Sequence, residues 1–370
     1  MSNVLKIKKE TSEGILDFFK YLLETDKVKG IFTLKKMNDS EARAYSLITS
    51  LDELKQADPF YPVMPVNAGK VLSEMTLKEA VGDPVAAVLR PCELRAFVEL
   101  VKRVQADTEN ILLISLTCEG VFPLDETVNG NLGKQLPAYQ DAAKKGENAA
   151  GLRRTCEACA HFIPGLADIT VSFAGNKDLD TGCTLVLNTP MGEEFSRGAP
   201  GTMGSGEIQS QELTQLTEKR KEARNKMFQE RQEDVKDLKS LVTTFAACLS
   251  CHGCSHVCPI CYCILCDFDS KIHEDEPSNF ESDLARKGGA RVPSGTLLFH
   301  IGRMTHMAVS CVNCGMCSDV CPVNIPVAEI FSMVGDPLQE IFEYLPGRDI
   351  EEAVPSGTYK EEEFTKTGEQ

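Results

Sequence analysis

Seven cysteines fall within nineteen residues, at Cys248, Cys251, Cys254, Cys258, Cys261, Cys263 and Cys266, and a second group follows at Cys311, Cys314, Cys317 and Cys321. Both groups contain the spacing C-x2-C-x2-C-x3-C, and both fourth cysteines are followed by proline. In such a run three thiolates of one tight loop hold one [4Fe-4S] cluster while the fourth reaches across to the other. Cys248, Cys251, Cys254 and Cys321 are therefore expected around one cluster, and Cys311, Cys314, Cys317 and Cys258 around a second. Such a chain moves electrons. Structural zinc uses paired C-x2-C or mixed Cys/His spacings and suits this doublet poorly. Sixteen cysteines in 370 residues are too sparse and too clustered for a secreted disulfide scaffold, and residues 1–10 show no apolar signal-peptide run. A reducing, cytoplasmic setting is expected.

A chain of 370 residues with 42% hydrophobic content has room for two or three domains with real cores. No apolar run approaches the roughly eighteen residues that a membrane span needs. With 39 Lys plus Arg against 55 Asp plus Glu, the formal net charge is -16, which argues against nucleic acid as a partner.

Residues 1–205 read as an α/β domain with a mostly parallel sheet. The apolar runs Val85 to Leu89 and Ile111 to Leu116 suit buried strands. Between them Leu94, Phe97, Val98, Val101 and Val104 recur at helical spacing, so the stretch is a βαβ unit. A further strand pair is expected at Ile169 to Phe173 and Thr184 to Asn188, and the glycine-rich Gly192 to Gly206 reads as a linker. One charged connecting helix is expected over 206–244, packed along one side of the molecule. Residues 245–335 form the α+β two-cluster ferredoxin-like domain, interrupted by a polar excursion from Asp267 to Arg291. The polar tail, 336–370, is expected to be disordered at its end unless a partner holds it.

Four cysteines of the first domain form a possible third set. Cys92 and Cys118 each stand just after the carboxyl end of an expected strand, the edge where ligands gather on open parallel sheets. Cys156 and Cys159 supply a C-x2-C loop. From spacing alone the signal is moderate, because lone cysteines are usually small buried hydrophobes.

The ordered motifs Arg90-Pro-Cys-Glu93, Leu116-Thr-Cys-Glu-Gly120, Cys156-x2-Cys159 and Leu166-Ala-Asp-Ile169 resemble the beta subunit of coenzyme F-420 (F420) reducing hydrogenases and dehydrogenases, a group that includes the formate dehydrogenase beta subunit. The resemblance continues through Cys258-Pro-Ile-Cys-Tyr-Cys263 and Phe299 to Met307 and covers roughly residues 60–330. It implies a third [4Fe-4S] cluster on Cys92, Cys118, Cys156 and Cys159 beside an FAD. Many members carry Gly-Thr-Pro-Cys where this chain has Leu89-Arg-Pro-Cys92, so neighbouring contacts differ. The segment Pro65-Val-Asn-Ala-Gly-Lys70 precedes a helical stretch, and small residues at a helix start let phosphate approach backbone N–H groups. Alone that motif is weak, and a plain loop is the simpler reading. With the resemblance, Asn67, Gly69, Lys70 and Arg90 become the FAD-binding candidates, with Arg95 a possible helper or a partner of an acidic neighbour.

Cys183, Cys261, Cys263 and Cys266 remain. They offer a fourth cluster if Cys183 approaches the others; otherwise they are reduced, buried thiols, or one of them replaces Cys258. His252, His256 and His306 lie near the motifs and are expected to pack or meet solvent, although second-shell hydrogen bonds from them would tune a cluster. There is no hydrolase constellation and no residue that need act as acid or nucleophile. The resemblance implies an electron-transfer subunit of a hetero-oligomer, in which FAD accepts electron pairs and releases them singly. Its soluble carrier would be F420, NAD(P) or a heterodisulfide-reductase-like partner. Its catalytic partner would be a formate dehydrogenase or hydrogenase subunit. The alternative is a flavin-free iron–sulfur adaptor wiring two larger enzymes. An autonomous reductase acting on a small substrate has no sequence feature in its favour.

Overall fold

Alternation of apolar residues along short runs builds one sheet in the first 206 residues. The computed structural model describes residues 2–37, 42–128, 130, 132–208, 210–270, 276–288 and 295–357. Its strands are β1 (Ser2–Ile7), β2 (Gly30–Lys36), β3 (Arg43–Ile48), β4 (Val85–Val88), β5 (Ile111–Leu116), β6 (Ile169–Val171), β7 (Cys183–Leu187) and β8 (Thr202–Gly206). They lie in the order β3-β2-β4-β5-β6-β7-β1-β8. Strands β2, β4, β5 and β6 pair in parallel, whereas β3 at one edge and β7, β1 and β8 at the other pair antiparallel. The sheet is thus mixed, where the sequence predicts a mostly parallel one. The connection from β6 to β7, residues 172–182, contains no helix, and a parallel return needs a crossover of about a dozen residues or more.

Successive residues of β4 and β5 feed opposite faces. Ala86, Val88, Leu112, Ile114 and Leu116 meet Ile15, Phe18, Phe19 and Leu22 of the helix Thr11–Glu24 on one side. Val85, Ala87, Ile111 and Leu113 meet the helices Ala68–Thr76 and Pro91–Val101 on the other. The second pair of helices therefore sits directly over the parallel strand ends. The expected linker at 192–206 is instead the helix Pro190–Ser196, capped by Thr189, followed by edge strand β8. There Gly204 and Gly206 lie against Val4, because backbone pairing at an exposed edge needs no side chains.

The expected connecting helix divides in two, Gln211–Asp234 and Leu238–Phe245, with Asp237 capping the second. The first is a strut rather than a solvated spacer. Leu213 and Leu216 are buried in it, Arg220 reaches the carbonyls of Cys118 and Glu119 at 3.1 and 2.6 Å, and Arg231 meets Glu329 at 3.3 Å. Glu329 belongs to the helix Val327–Ile341 that closes the cysteine-rich part. Beyond it the chain folds back: Arg95 Nε donates to the Pro346 carbonyl at 2.7 Å, and Gly347 N to Glu99 at 2.8 Å. The start of the tail is thus packed on the Pro91–Val101 helix, while the end, where disorder is expected, lies outside the described residues. Residues 358–370, and parts of the excursion after Asp267, lie outside the described residues. Among the described residues no helix is long and apolar enough to cross a membrane.

Candidate functional site

The two ferredoxin-type loops share one backbone shape. Ser250 and His252 flank Cys251 at φ 52° and 53°, and Asn313 and Gly315 flank Cys314 at φ 58° and 81°. These left-handed residues curl each loop so that consecutive sulfurs turn inward, and a short helical turn follows in each, Gly253–His256 and Met316–Asp319. Cys248, Cys251, Cys254 and Cys321 line one small cavity with Phe299 and His300. His300 Nε2 lies 3.3 Å from Cys248 Sγ, the Ile325 N–H donates to Cys321 Sγ at 3.3 Å, and Arg303 donates to Cys254 Sγ at 3.1 Å. Cys258 neighbours Cys311, Cys314 and Cys317 in the second set. Both crossed sets are therefore brought together. Of the three histidines weighed from sequence, His252 stacks on Phe299 at 4.3 Å and meets Asp269 at 2.9 Å, so it packs. His300, which the sequence reading passed over, lies beside the candidate ligand Cys248.

The third set assembles at the strand ends. β4 and β5 are adjacent and in register, Val88 opposite Ile114, so Cys92, in the first turn of the Pro91–Val101 helix, and Cys118 stand side by side. Cys118 N donates to the Phe162 carbonyl at 2.8 Å, and this ties its strand end to the loop that carries Cys156 and Cys159. All four line one cavity together with Arg90, His161, Phe162, Arg220 and Cys314. Cys314 belongs to the second set, so the second and third sets share a wall. Gly315 makes that approach possible: a Cβ there would lie 2.3 Å from Thr155 Oγ1, one residue from Cys156.

Burial governs the thiols. It pushes Cys156 and Cys311 up to about 12, and Cys254 and Cys314 up to about 11. Loading metal on them must therefore release protons. Cys258 is the exception, its thiol brought down by its coupling to the neighbouring Cys261 and by the nearby Arg303 guanidinium. His161 is held neutral, its pKa down to about 3, by burial and by Arg95 and Arg224.

The four residues expected to hold FAD do not form a phosphate cradle. The start of the Ala68–Thr76 helix already holds an acceptor: the carboxyl of Glu93, whose pKa burial pushes up, accepts Ala68 N at 3.1 Å, Arg90 N at 2.8 Å and Tyr45 Oη at 2.6 Å. Asn67 is fully buried and caps Lys70 N. Gly69 serves helix packing, since a Cβ would fall 2.2 Å from the Glu93 carbonyl. Lys70 Nζ donates to the carbonyls of His256 and Cys258, and buried Arg90 donates to Tyr61 O at 2.6 Å and Cys118 Sγ at 3.6 Å. Nothing in the short motif announced Glu93, which lies a helix away in sequence. Among the leftover thiols, Cys183 sits on β7 inside the core behind the sheet, while Cys261, Cys263 and Cys266 line a cleft of about 300 Å³ with Lys70 and Phe268. The structure does not bring Cys183 to the other three, and Cys263 is exposed rather than buried.

No protein-family model matches the chain. Over 92% of its length it is 27% identical to the F420-dependent formate dehydrogenase subunit beta of Methanocaldococcus jannaschii, covering 93% of that protein. Over 94% it is 28% identical to the F420-dependent formate dehydrogenase 1 subunit beta of Methanococcus maripaludis, covering 94% of that protein. A chain of the solved F420-reducing NiFe hydrogenase complex from Methanosarcina barkeri aligns at 17% identity and a TM-score of 0.46, over 65% of this chain and 94% of its own.

Proposed function

We propose that this chain, an oxidoreductase subunit homologous to the F420-dependent formate dehydrogenase beta subunits, carries three [4Fe-4S] clusters and conducts single electrons through them. One end of the line serves a catalytic dehydrogenase or hydrogenase subunit of a hetero-oligomer. The other serves a soluble carrier: F420, a nicotinamide or a heterodisulfide-reductase-like partner. The observation that supports this reading above all is the convergence of cysteines from distant segments on three adjoining fourfold sets, the second and third sharing Cys314 as a wall.

The donor sets fit the group. Thiolates are the soft ligands that iron–sulfur clusters take. When bound, the clusters store and release one electron at a time. The chain supplies their surroundings: Gly315 lets two sets approach, and Phe162, Phe299 and Val327 wall the sites with apolar surface. Asn67, Gly69, Lys70 and Arg90 do not fit an FAD phosphate, and no step is routed through one. Because that helix start is filled, an FAD would be held by other residues of the chain, and the alternative is the flavin-free adaptor.

Anaerobically purified chain should contain about twelve iron atoms and twelve acid-labile sulfides, the content of three cubes, with paramagnetic signals after dithionite. Four irons or fewer, or zinc in their place, would overturn the reading. Acid extraction decides the flavin question, because an adaptor releases none.

A further inference from the structure

Three buried cations in this chain lack a carboxylate partner. Arg90, Arg95 and Arg303 are 3%, 8% and 3% exposed, and among the described residues none of their side chains forms an ion pair, unlike Arg153, which meets Asp319. Each also keeps one buried nitrogen without a hydrogen-bond partner: Nε of Arg90, Nη2 of Arg95 and Nε of Arg303. A guanidinium out of water with neither counter-charge nor a full set of acceptors is strongly disfavoured. Glu93 and Glu99 lie in the field of the Arg90 and Arg95 guanidinium groups without touching them, and an anion in direct contact would relieve the remaining cost.

The neighbours say which anion. Arg303 donates to Cys254 Sγ at 3.1 Å, in the first set, and also neighbours Cys258 and Cys317 of the second. Arg95 neighbours Cys311 of the second set and Cys92 and Cys159 of the third. Arg90 donates to Cys118 Sγ at 3.6 Å in the third set and shares that set's cavity with Cys314 of the second.

We propose that Arg303, Arg95 and Arg90 are positioning residues that act as fixed counter-charges of the iron–sulfur clusters, each beside a different combination of thiol sets, and thereby set their reduction potentials. The proposal rests on the three-cluster reading. A thiolate-ligated cluster is an anion, and each reducing electron adds negative charge to it without making or breaking a bond. A fixed positive charge in a poorly polarisable interior favours that reduced state, as do N–H donors to cluster sulfur. Because each arginine adjoins a different combination of sets, its effect is local.

The test uses the full chain, purified anaerobically, with iron counted before each measurement. Redox titration followed by paramagnetic resonance reads the midpoint of each cluster in Arg303→Gln, Arg95→Gln and Arg90→Gln. Arg303→Gln is expected to lower the two ferredoxin-type midpoints, Arg95→Gln those of the second and third clusters, and Arg90→Gln chiefly the third. Where a Gln variant loses iron, the Lys variant at that position is titrated in its place, and its smaller shift falls on the same clusters. Iron-replete variants with unmoved midpoints, or with all three moved alike, would overturn the assignment. Wild-type chain short of about twelve irons would instead sink the three-cluster reading itself.

Discussion

The two ferredoxin-type loops and the strand-end set present the same four thiols by different means. In the loops, three ligands lie within seven residues, and left-handed backbone at Ser250, His252, Asn313 and Gly315 curls them inward. In the strand-end set, Cys92, Cys118 and the Cys156–Cys159 loop come from separate segments, aligned because β4 and β5 are neighbours and because Cys118 N is tied to Phe162. The first kind of site is written in local backbone conformation. The second is a consequence of the whole sheet, so it should exist wherever the sheet folds, whereas the loops need metal to organise them.

Removing single ligands separates the two kinds most sharply. Cys118→Ala should reduce the iron content by about four atoms per chain and leave the two ferredoxin-type signals in place. Cys321→Ala should remove the same amount, but the cluster lost should be the one held by Cys248, Cys251 and Cys254, across the crossed pair. Iron analysis with resonance spectra of both variants checks this. If Cys321→Ala spared that cluster and cost its own loop's instead, the crossed assignment, and with it the contrast between local and assembled sites, would fail.

How much of this was legible in sequence follows the same division. The grouping of the doublet's cysteines was legible in their spacing, and the fold gathers them as two crossed sets; their cluster content is for iron analysis to test. The strand-end set was legible in part: Leu89 and Leu116 close recognisable strands, but their adjacency is a tertiary fact. The direction of β7 was not, since an apolar run reads the same whichever way the chain traverses it. The expected phosphate site misled for a related reason. Asn67 to Lys70 is a true helix start, yet the acceptor that fills it is Glu93, brought there by helix packing. Arg303 passed unnoticed because an arginine on a helix is ordinarily a surface residue, and only the fold shows its 3% exposure.

The seam between the two kinds of site supplies a second, smaller effect. Gly315 has φ 81°, and a Cβ there would fall 2.3 Å from Thr155 Oγ1, whereas a Cβ on the first loop's own glycine, Gly253, one position further along its loop, meets nothing closer than 3.8 Å. Gly315→Ala should therefore cost about 2–3 kcal/mol through backbone strain and overlap, and Gly253→Ala at most about 1 kcal/mol. Denaturant midpoints of the iron-loaded proteins compare them. Equal costs would mean that the second loop is not pressed on the Cys156 turn, and that the two regions are coupled by their clusters alone.

The smallest effect concerns a thiol that belongs to neither region. Burial raises Cys183 to about 12 with no charged neighbour contributing, while in the unfolded chain it should titrate near about 8.5. A folded value above the unfolded one gives stability that is fully present below about pH 8.5 and is lost as the pH rises toward the folded value. Between about pH 8 and 9.5 that loss amounts to about 1 kcal/mol. In iron-loaded protein the twelve ligand thiols are taken out of this titration, so the difference between wild type and Cys183→Ala isolates the one behind the sheet. The wild type should lose about 1 kcal/mol more than the variant over that range, whatever the variant's lower starting stability. A pair of parallel pH profiles would place Cys183 among the ligated thiols, reopening the fourth cluster that its position on β7 argues against.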